Sequence, residues 1–292
     1  MPLHTRLIGQ STQARVHLAD ARWTMAYAAG ISDHNPMYFD NREQDRAVHP
    51  VFPVCLEWPS ILDVRNLPAN ETLSEEESAR GVHASHDLHL MRPLKADVRY
   101  ETSVQVTGCV PSPGGGRVIM RIDTRDDSGV LVAQTWQTSV YRGVTIEGMS
   151  REPLAEPPLW PEPAGSKNGV QVPDLTRLSI PVGLGLGNIY TETARIFNPI
   201  HSDVAYAVAA GLPDIILHGT ASLALSVSAL IDQLLDGASD RVTRLGGRFS
   251  GMVLMPNQLT LSVTKLDSQG CCFELTDRSE KTVIKQGFLQ WK

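Results

Sequence analysis

Residues 198–219 read NPIHSDVAYAVAAGLPDIILHG, and the glycine that ends this run opens the next, GTASLALSVSALIDQLL, over 219–235. The second run has no proline and is apolar nearly all round. It predicts a helix of ~17 residues, about 25 Å long at ~1.5 Å per residue, lying across a sheet that wraps it. Thr220, Ser222, Ser226, Ser228 and Asp232 interrupt it, so it falls short of the ~20 unbroken apolar residues of a membrane span. Upstream, Asn198-Pro199 is a turn in its own right, since asparagine tolerates unusual backbone angles and proline fixes the next one. Downstream, Arg244–Phe249, Gln258–Lys265, Cys271–Thr276 and Thr282–Trp291 read as strands, with a turn at Asp267-Ser268-Gln269-Gly270.

The same order of signals occurs once before. A helical stretch at Arg22–Gly30 leads to Asp33-His34-Asn35-Pro36-Met37-Tyr38-Phe39-Asp40, as Tyr190–Arg195 leads to Ile196-Phe197-Asn198-Pro199-Ile200-His201-Ser202-Asp203. Asn, Pro and the trailing Asp coincide at a constant offset of 163 residues, the mark of an internal repeat. Strands follow at Val82–Leu90, Val98–Val110, Arg117–Thr124 and Leu131–Tyr141, with hairpin turns at 111–116 and 126–129. The first-half counterpart of the long helix, PVCLEWPSILDV, contains Pro59 and is expected to be shortened or kinked. Between the halves, 151–174 carries six prolines, which sustain neither helix nor inner strand. The expected organisation is an N-terminal unit over 1–150, a linker over 151–174 and a C-terminal unit over 175–292, in the α+β class.

Composition bounds the partners. The 292 residues carry 26 Lys+Arg against 32 Asp+Glu, a net charge of −6, with 42% hydrophobic and 20% charged residues. Disorder is excluded by the apolar content. The acid excess and the lack of basic runs exclude nucleic acid or an anionic membrane as the main target. Four cysteines without C-x-x-C spacing, and no apolar N-terminal core, point to a reducing cytoplasm. His83, His86 and His89 do not suggest a metal site, because on a strand of period two His86 faces away from the other two. Gly183-Leu184-Gly185-Leu186-Gly187 lacks the context of a phosphate loop and reads as a flexible entry to the second half. No cofactor or metal is expected.

The 198–219 motif is similar to the hydratase-2 signature of the MaoC-like dehydratases, matching at Asn198, Pro199, His201, Asp203, Ala210, Gly211, His218 and Gly219; the first half matches more loosely. The resemblance implies a double hotdog, two units each of a long helix wrapped by an antiparallel sheet. It also implies reversible hydration of a 2-enoyl thioester of coenzyme A or an acyl-carrier protein to a 3-hydroxyacyl thioester, and is compatible with a homodimer. That reaction needs a base for water, a proton for C2 and donors for the thioester oxygen. His201 is the candidate base, Asn198 the positioner and the Gly219 N–H the oxyanion donor at the helix N-terminus. His218, Tyr190, Arg195 and Ile196 are candidate substrate contacts, with Arg195 pairing a carboxylate or binding an anionic group. Asp203 reads as a helix cap, Arg244 or Arg248 as a phosphate contact, and Asp33 with Asn35 as a retained turn.

The departure from the family pattern lies at its acid. The position two residues before the Asn holds Ile196, whereas in the first half Asp33 is present and Tyr38 stands where the histidine belongs. Three accounts stay open: His201 works with another partner, among Arg195, Tyr190, Asp203 or a first-half residue; the reaction is altered, as in a double-bond isomerase or other proton-transfer lyase; or the chain only binds an acyl thioester.

Overall fold

The computed structural model describes residues 2–40, 42, 46–70, 73–149, 151–161 and 177–292. The chain begins with a two-residue strand β1 (Leu3–His4), the strand β2 (Arg15–Ala19), and three helices, α1 (Ala21–Gly30), α2 (Pro36–Phe39) and α3 (Pro53–Asp63). A short acidic helix α4 (Glu75–Ala79) precedes the strands β3 (Gly81–Leu90), β4 (Val98–Ser112), β5 (Gly115–Asp126) and β6 (Leu131–Arg142), and β7 (Ile146–Glu147) pairs in parallel with β1. After the linker come β8 (Arg177–Val182), α5 (Leu186–Ala194), α6 (Val204–Ala209), the seventeen-residue α7 (Gly219–Leu235), and β9 (Val242–Phe249), β10 (Asn257–Leu266), β11 (Gly270–Thr276) and β12 (Thr282–Trp291).

Contacts divide the chain into two compact units. They are not the two linear halves. The first comprises Met1–Leu18, Leu56–Met91 and Arg99–Trp160; the second comprises Ala19–Cys55, Arg92–Val98 and Pro161–Lys292. The first half's helix-turn segment, Asp33 and Asn35 included, thus clusters with the second half's residues. Of the linker, 151–161 carries no helix or strand, and 162–174 lies outside the described residues.

The first unit's strands run in the order β2-β4-β5-β6-β3, with the β4–β5, β5–β6 and β6–β3 ladders antiparallel. On one face lie Val104, Val106, Ile122 and Met120, which pack with Leu3, Leu7, Val64 and Leu67. α3 is tied down there by Ser60 Oγ donating to the Thr102 carbonyl at 3.1 Å. It is shortened as expected, to eleven residues against the seventeen of α7, with Pro59 inside it. The second unit's strands run β9-β12-β11-β10-β8, antiparallel throughout. α7 lies against β8, β9 and β12 with twelve of its residues buried, Leu223, Val227 and Leu230 completely. Each unit is therefore a helix on an antiparallel sheet, the expected hotdog arrangement. No helix among the described residues is long and apolar enough to cross a membrane.

One strand departs from regular alternation. The β3–β6 register shifts between His83 and Ser85, and the bulge rotates His83 onto the side of His86, their ring centroids 5.3 Å apart. The opposed faces expected for these two histidines are thus corrected. His89 remains on the other face, 3.1 Å from the Asp87 carboxylate.

Candidate active site

α5 and the Asn-Pro turn place the histidines of the second unit. α5 ends on Arg195 in the left-handed region, φ 56°, which turns the chain sharply so that Ile196 is buried, 5% exposed, while Phe197 is exposed. Asn198 is extended, and Pro199 opens a single 3-10 turn, Pro199–His201, in which the His201 N–H donates to the Asn198 carbonyl at 3.1 Å. Asp203 caps α6 by accepting from the Tyr206 N–H at 3.0 Å, as expected of it.

His201 Nδ1 lies 2.7 Å from the carbonyl of Ile216. A carbonyl can only accept, so in the neutral imidazole Nδ1 carries the proton and Nε2 keeps the lone pair. Burial holds His201 down to about 4, against a smaller upward pull from the Ile216 carbonyl; at neutral pH the ring is an unprotonated base. His218 stacks on it, ring centroids 3.6 Å apart at 25°. Its Nε2 faces the Ile196 carbonyl at 3.3 Å and Thr191 Oγ1 at 3.5 Å. Thr191 already donates to Gly187, so Nε2 is the donor and Nδ1, buried without a partner, is bare. Burial, and then the neighbouring His201, keep His218 well below its ordinary value.

Position 196 therefore contributes a backbone carbonyl to a histidine where the family pattern has a carboxylate. Tyr190 is fully buried beside His218, ring centroids 4.9 Å apart; its hydroxyl donates to Thr220 Oγ1 at 3.2 Å and lies 3.4 Å from that of Tyr27. Gly219 is the first residue of α7, where a Cβ would come within 3.1–3.3 Å of the Phe249 ring. A helix N-terminus, whose first N–H groups have no partner within the helix, suits an oxyanion. Arg195 does not join this group: its guanidinium lies over the Trp23 ring, 3.9 Å from the centroid. Arg244 is similarly placed over Phe288, at 5.2 Å.

A second polar group in the same unit escapes the sequence. His49 is buried beside Asp33, its Nε2 3.7 Å from the carboxylate and 3.0 Å from Ser228 Oγ. These three residue types suggest a nucleophilic triad, but the geometry refuses it. His49 Nδ1 accepts from the Val51 N–H at 3.1 Å, so Nε2 carries the proton and donates; it cannot take one from serine. Asp33 also accepts from the Asn35 N–H at 3.0 Å, and Asn35 Nδ2 donates to the Gly237 carbonyl at 2.6 Å. Asp33 and Asn35 therefore hold a turn, as expected of them. Among the described residues no ion pair joins a carboxylate to His201, and no three His, Cys, Asp or Glu converge as for a metal ion.

The repeat itself carries the signal for a different pairing, that of α1 with α5. Tyr27 and Tyr190, whose hydroxyls meet, are 163 residues apart, the offset of the Asn-Pro motifs. α1 and α5 pack so closely there that a Cβ on Gly30 would lie 2.3 Å from Thr193 Oγ1.

Residues 187–286 match the family described as MaoC like domain. The enoyl-CoA hydratase ChsH3 of Mycobacterium tuberculosis is 29% identical over 188 residues, 61% of this chain and 63% of that protein. The chain thus matches less than two thirds of that relative's length. The 3-hydroxyacyl-thioester dehydratase Y of the same organism is 27% identical over 70% of this chain and 69% of its own. Among solved structures, a MaoC-like dehydratase from Phytophthora capsici superimposes with a TM-score of 0.78 at 19% identity, covering 98% of this chain and 96% of that one; at that identity the likeness speaks to fold alone. Residues 187–286 thus match a MaoC like domain, in a chain whose two helix-on-sheet units have the double-hotdog fold.

Proposed function

We propose that the protein interconverts a 2-enoyl thioester and a 3-hydroxyacyl thioester, with His201 as the base. The observation that supports this reading is the His201 Nδ1 to Ile216 carbonyl contact of 2.7 Å, which leaves Nε2 with the lone pair a base needs. In the hydration direction Nε2 takes a proton from water, the water oxygen bonds to C3, and the π pair moves through C2 to the thioester oxygen. The Gly219 N–H faces that oxygen, and the imidazolium returns its proton to C2. Asn198 positions the water or thioester. His218 presents a neutral ring face to His201, where the charge of the imidazolium develops. The relatives named as an enoyl-CoA hydratase and a 3-hydroxyacyl-thioester dehydratase support the same chemistry.

On this reading no carboxylate balances the imidazolium, which suits a base already held to about 4. The test is turnover of crotonyl-CoA and longer 2-enoyl-CoAs, followed by loss of the conjugated-thioester absorbance. Absence of turnover with every thioester, while saturated acyl-CoA still binds, overturns it in favour of a thioester-binding protein.

A further inference from the structure

The first unit carries a polar strip that the His201 site does not use. Thr135, Gln137 and Ser139 alternate along β6 and share one face, and the ladder sets Leu88, His86 and His83 opposite them. Thr135 Oγ1 donates to Glu57 Oε1 of α3, so this is the face beneath the helix. The β3 bulge adds His83 to it, edge-on to His86.

The strip runs from partly exposed His83 inward to His86, 0% exposed, Gln137, 4%, and Glu57, 1%. Neither ring nitrogen of His86 and not the Oε2 of Glu57 has a hydrogen-bond partner. Buried polar atoms left unmatched are costly, and native proteins hold few of them. Three on one track, beside the apolar Val104, Val106, Ile122 and Met120 of the same sheet, mark a place built to meet polar atoms from outside the chain.

We propose that this strip is a binding site for a neutral, chain-like ligand bearing hydroxyl or keto oxygens along a length of about 13 Å, the span of four residues of β6 at ~3.3 Å each. The chemistry selects neutral oxygens. Burial keeps His86 down at about 4 and His83 well below its ordinary value, so neither ring offers a cation to an anionic ligand. Glu57 is pushed up to about 7 by burial and, when protonated, both donates and accepts. An alcohol or ketone exchanges hydrogen bonds with all three without burying a net charge.

The experiment compares 1,10-decanediol with 1-decanol, by ligand-observed NMR titration on the full chain. Apolar burial alone favours the mono-alcohol. The strip predicts the reverse, with the diol bound at least threefold more tightly, and predicts that His86→Phe and Glu57→Leu each abolish the preference. Gln137→Leu, which leaves the Glu57 to Thr135 bond in place, provides a second variant should either of those fail to fold. A tighter mono-alcohol, binding unchanged in the variants that fold, or no binding of either probe, as expected if the strip holds buried water only, overturns the proposal. Because the probes are not thioesters, the result is independent of whether crotonyl-CoA turns over.

Discussion

Acidification from pH 8 to pH 5 will destabilise the protein, because the fold holds several imidazoles neutral in its interior. His49 and His86 are buried and each is held at about 4 by burial, against the pull of Asp33 on the one and Asp87 on the other. In the unfolded chain each titrates near ~6.5. A group whose folded pKa lies below its unfolded one gives its full stabilisation above the unfolded value and loses it as the pH falls between the two. At pH 5 that loss is about 2 kcal/mol for each residue. His83, His201 and His218, all lowered by burial, act in the same direction. Glu57 runs the other way: raised to about 7 from 4.5, it takes up its proton in the fold before the unfolded chain does, and adds about 2 to 3 kcal/mol between pH 8 and pH 5. The five imidazoles outweigh Glu57 and Asp232, whose carboxyl is also raised by burial. The net loss is a few kcal/mol, a large share of the ~5–15 kcal/mol that holds most domains folded. Urea midpoints measured at pH 8, 7, 6 and 5 at fixed ionic strength should fall toward pH 5. His86→Phe should recover about 2 kcal/mol of the difference. Stability that is flat or rises between pH 7 and pH 5 refutes the argument.

His201→Ala is expected to lower kcat on enoyl-CoA by ~10² or more, as for loss of a general base; an unchanged rate removes His201 from the chemistry. Ile196→Asp puts a carboxylate beside the stacked imidazoles, and an opposite charge at such range raises a histidine by ~1–3 units, so the acid limb of the kcat profile should move upward from about 4. A limb that stays in place shows that the new carboxylate does not reach His201. Gly30→Ala drives a methyl group into Thr193 and should cost about 1–3 kcal/mol. Adding Thr193→Gly should restore most of it, and denaturant midpoints of the single and double variants decide.

Much of the fold was legible because its signals are long and repeated. The seventeen residues of α7 coincide with the apolar run from Gly219 to Leu235, and the eight long strands lie within two residues of their alternating stretches. What stayed hidden is short or non-local. β2 and β8 are strands of five and six residues without a clear apolar rhythm. The clustering of Ala19–Cys55 with the C-terminal residues is a tertiary fact that a linear division cannot express. The His83 and His86 pairing depends on a bulge, and one inserted residue reverses every inference drawn from period two. His49 was missed because it precedes α3 as His218 precedes α7, but at 169 residues' separation instead of 163; six residues of slippage hide it from the motif that exposed its neighbours.

The two halves divide the usual acid and base between them, and the structure does not rejoin them. Asp33 spends one oxygen on the Asn35 N–H and turns the other toward His49, whose proton is already committed to Ser228. His201 receives a carbonyl from Ile216 and a ring from His218. Both supports are uncharged. A carboxylate would raise the basicity of His201 and favour its protonated form; a carbonyl fixes the tautomer with less effect on the charge, and burial then lowers the pKa. The base that results is weaker per encounter but unprotonated across the whole neutral range. On the proposed role of His201, isoleucine in place of a carboxylate at 196 trades basic strength for constancy with pH: the ring stays unprotonated down to pH 5, where the stability of the fold becomes the limit on activity.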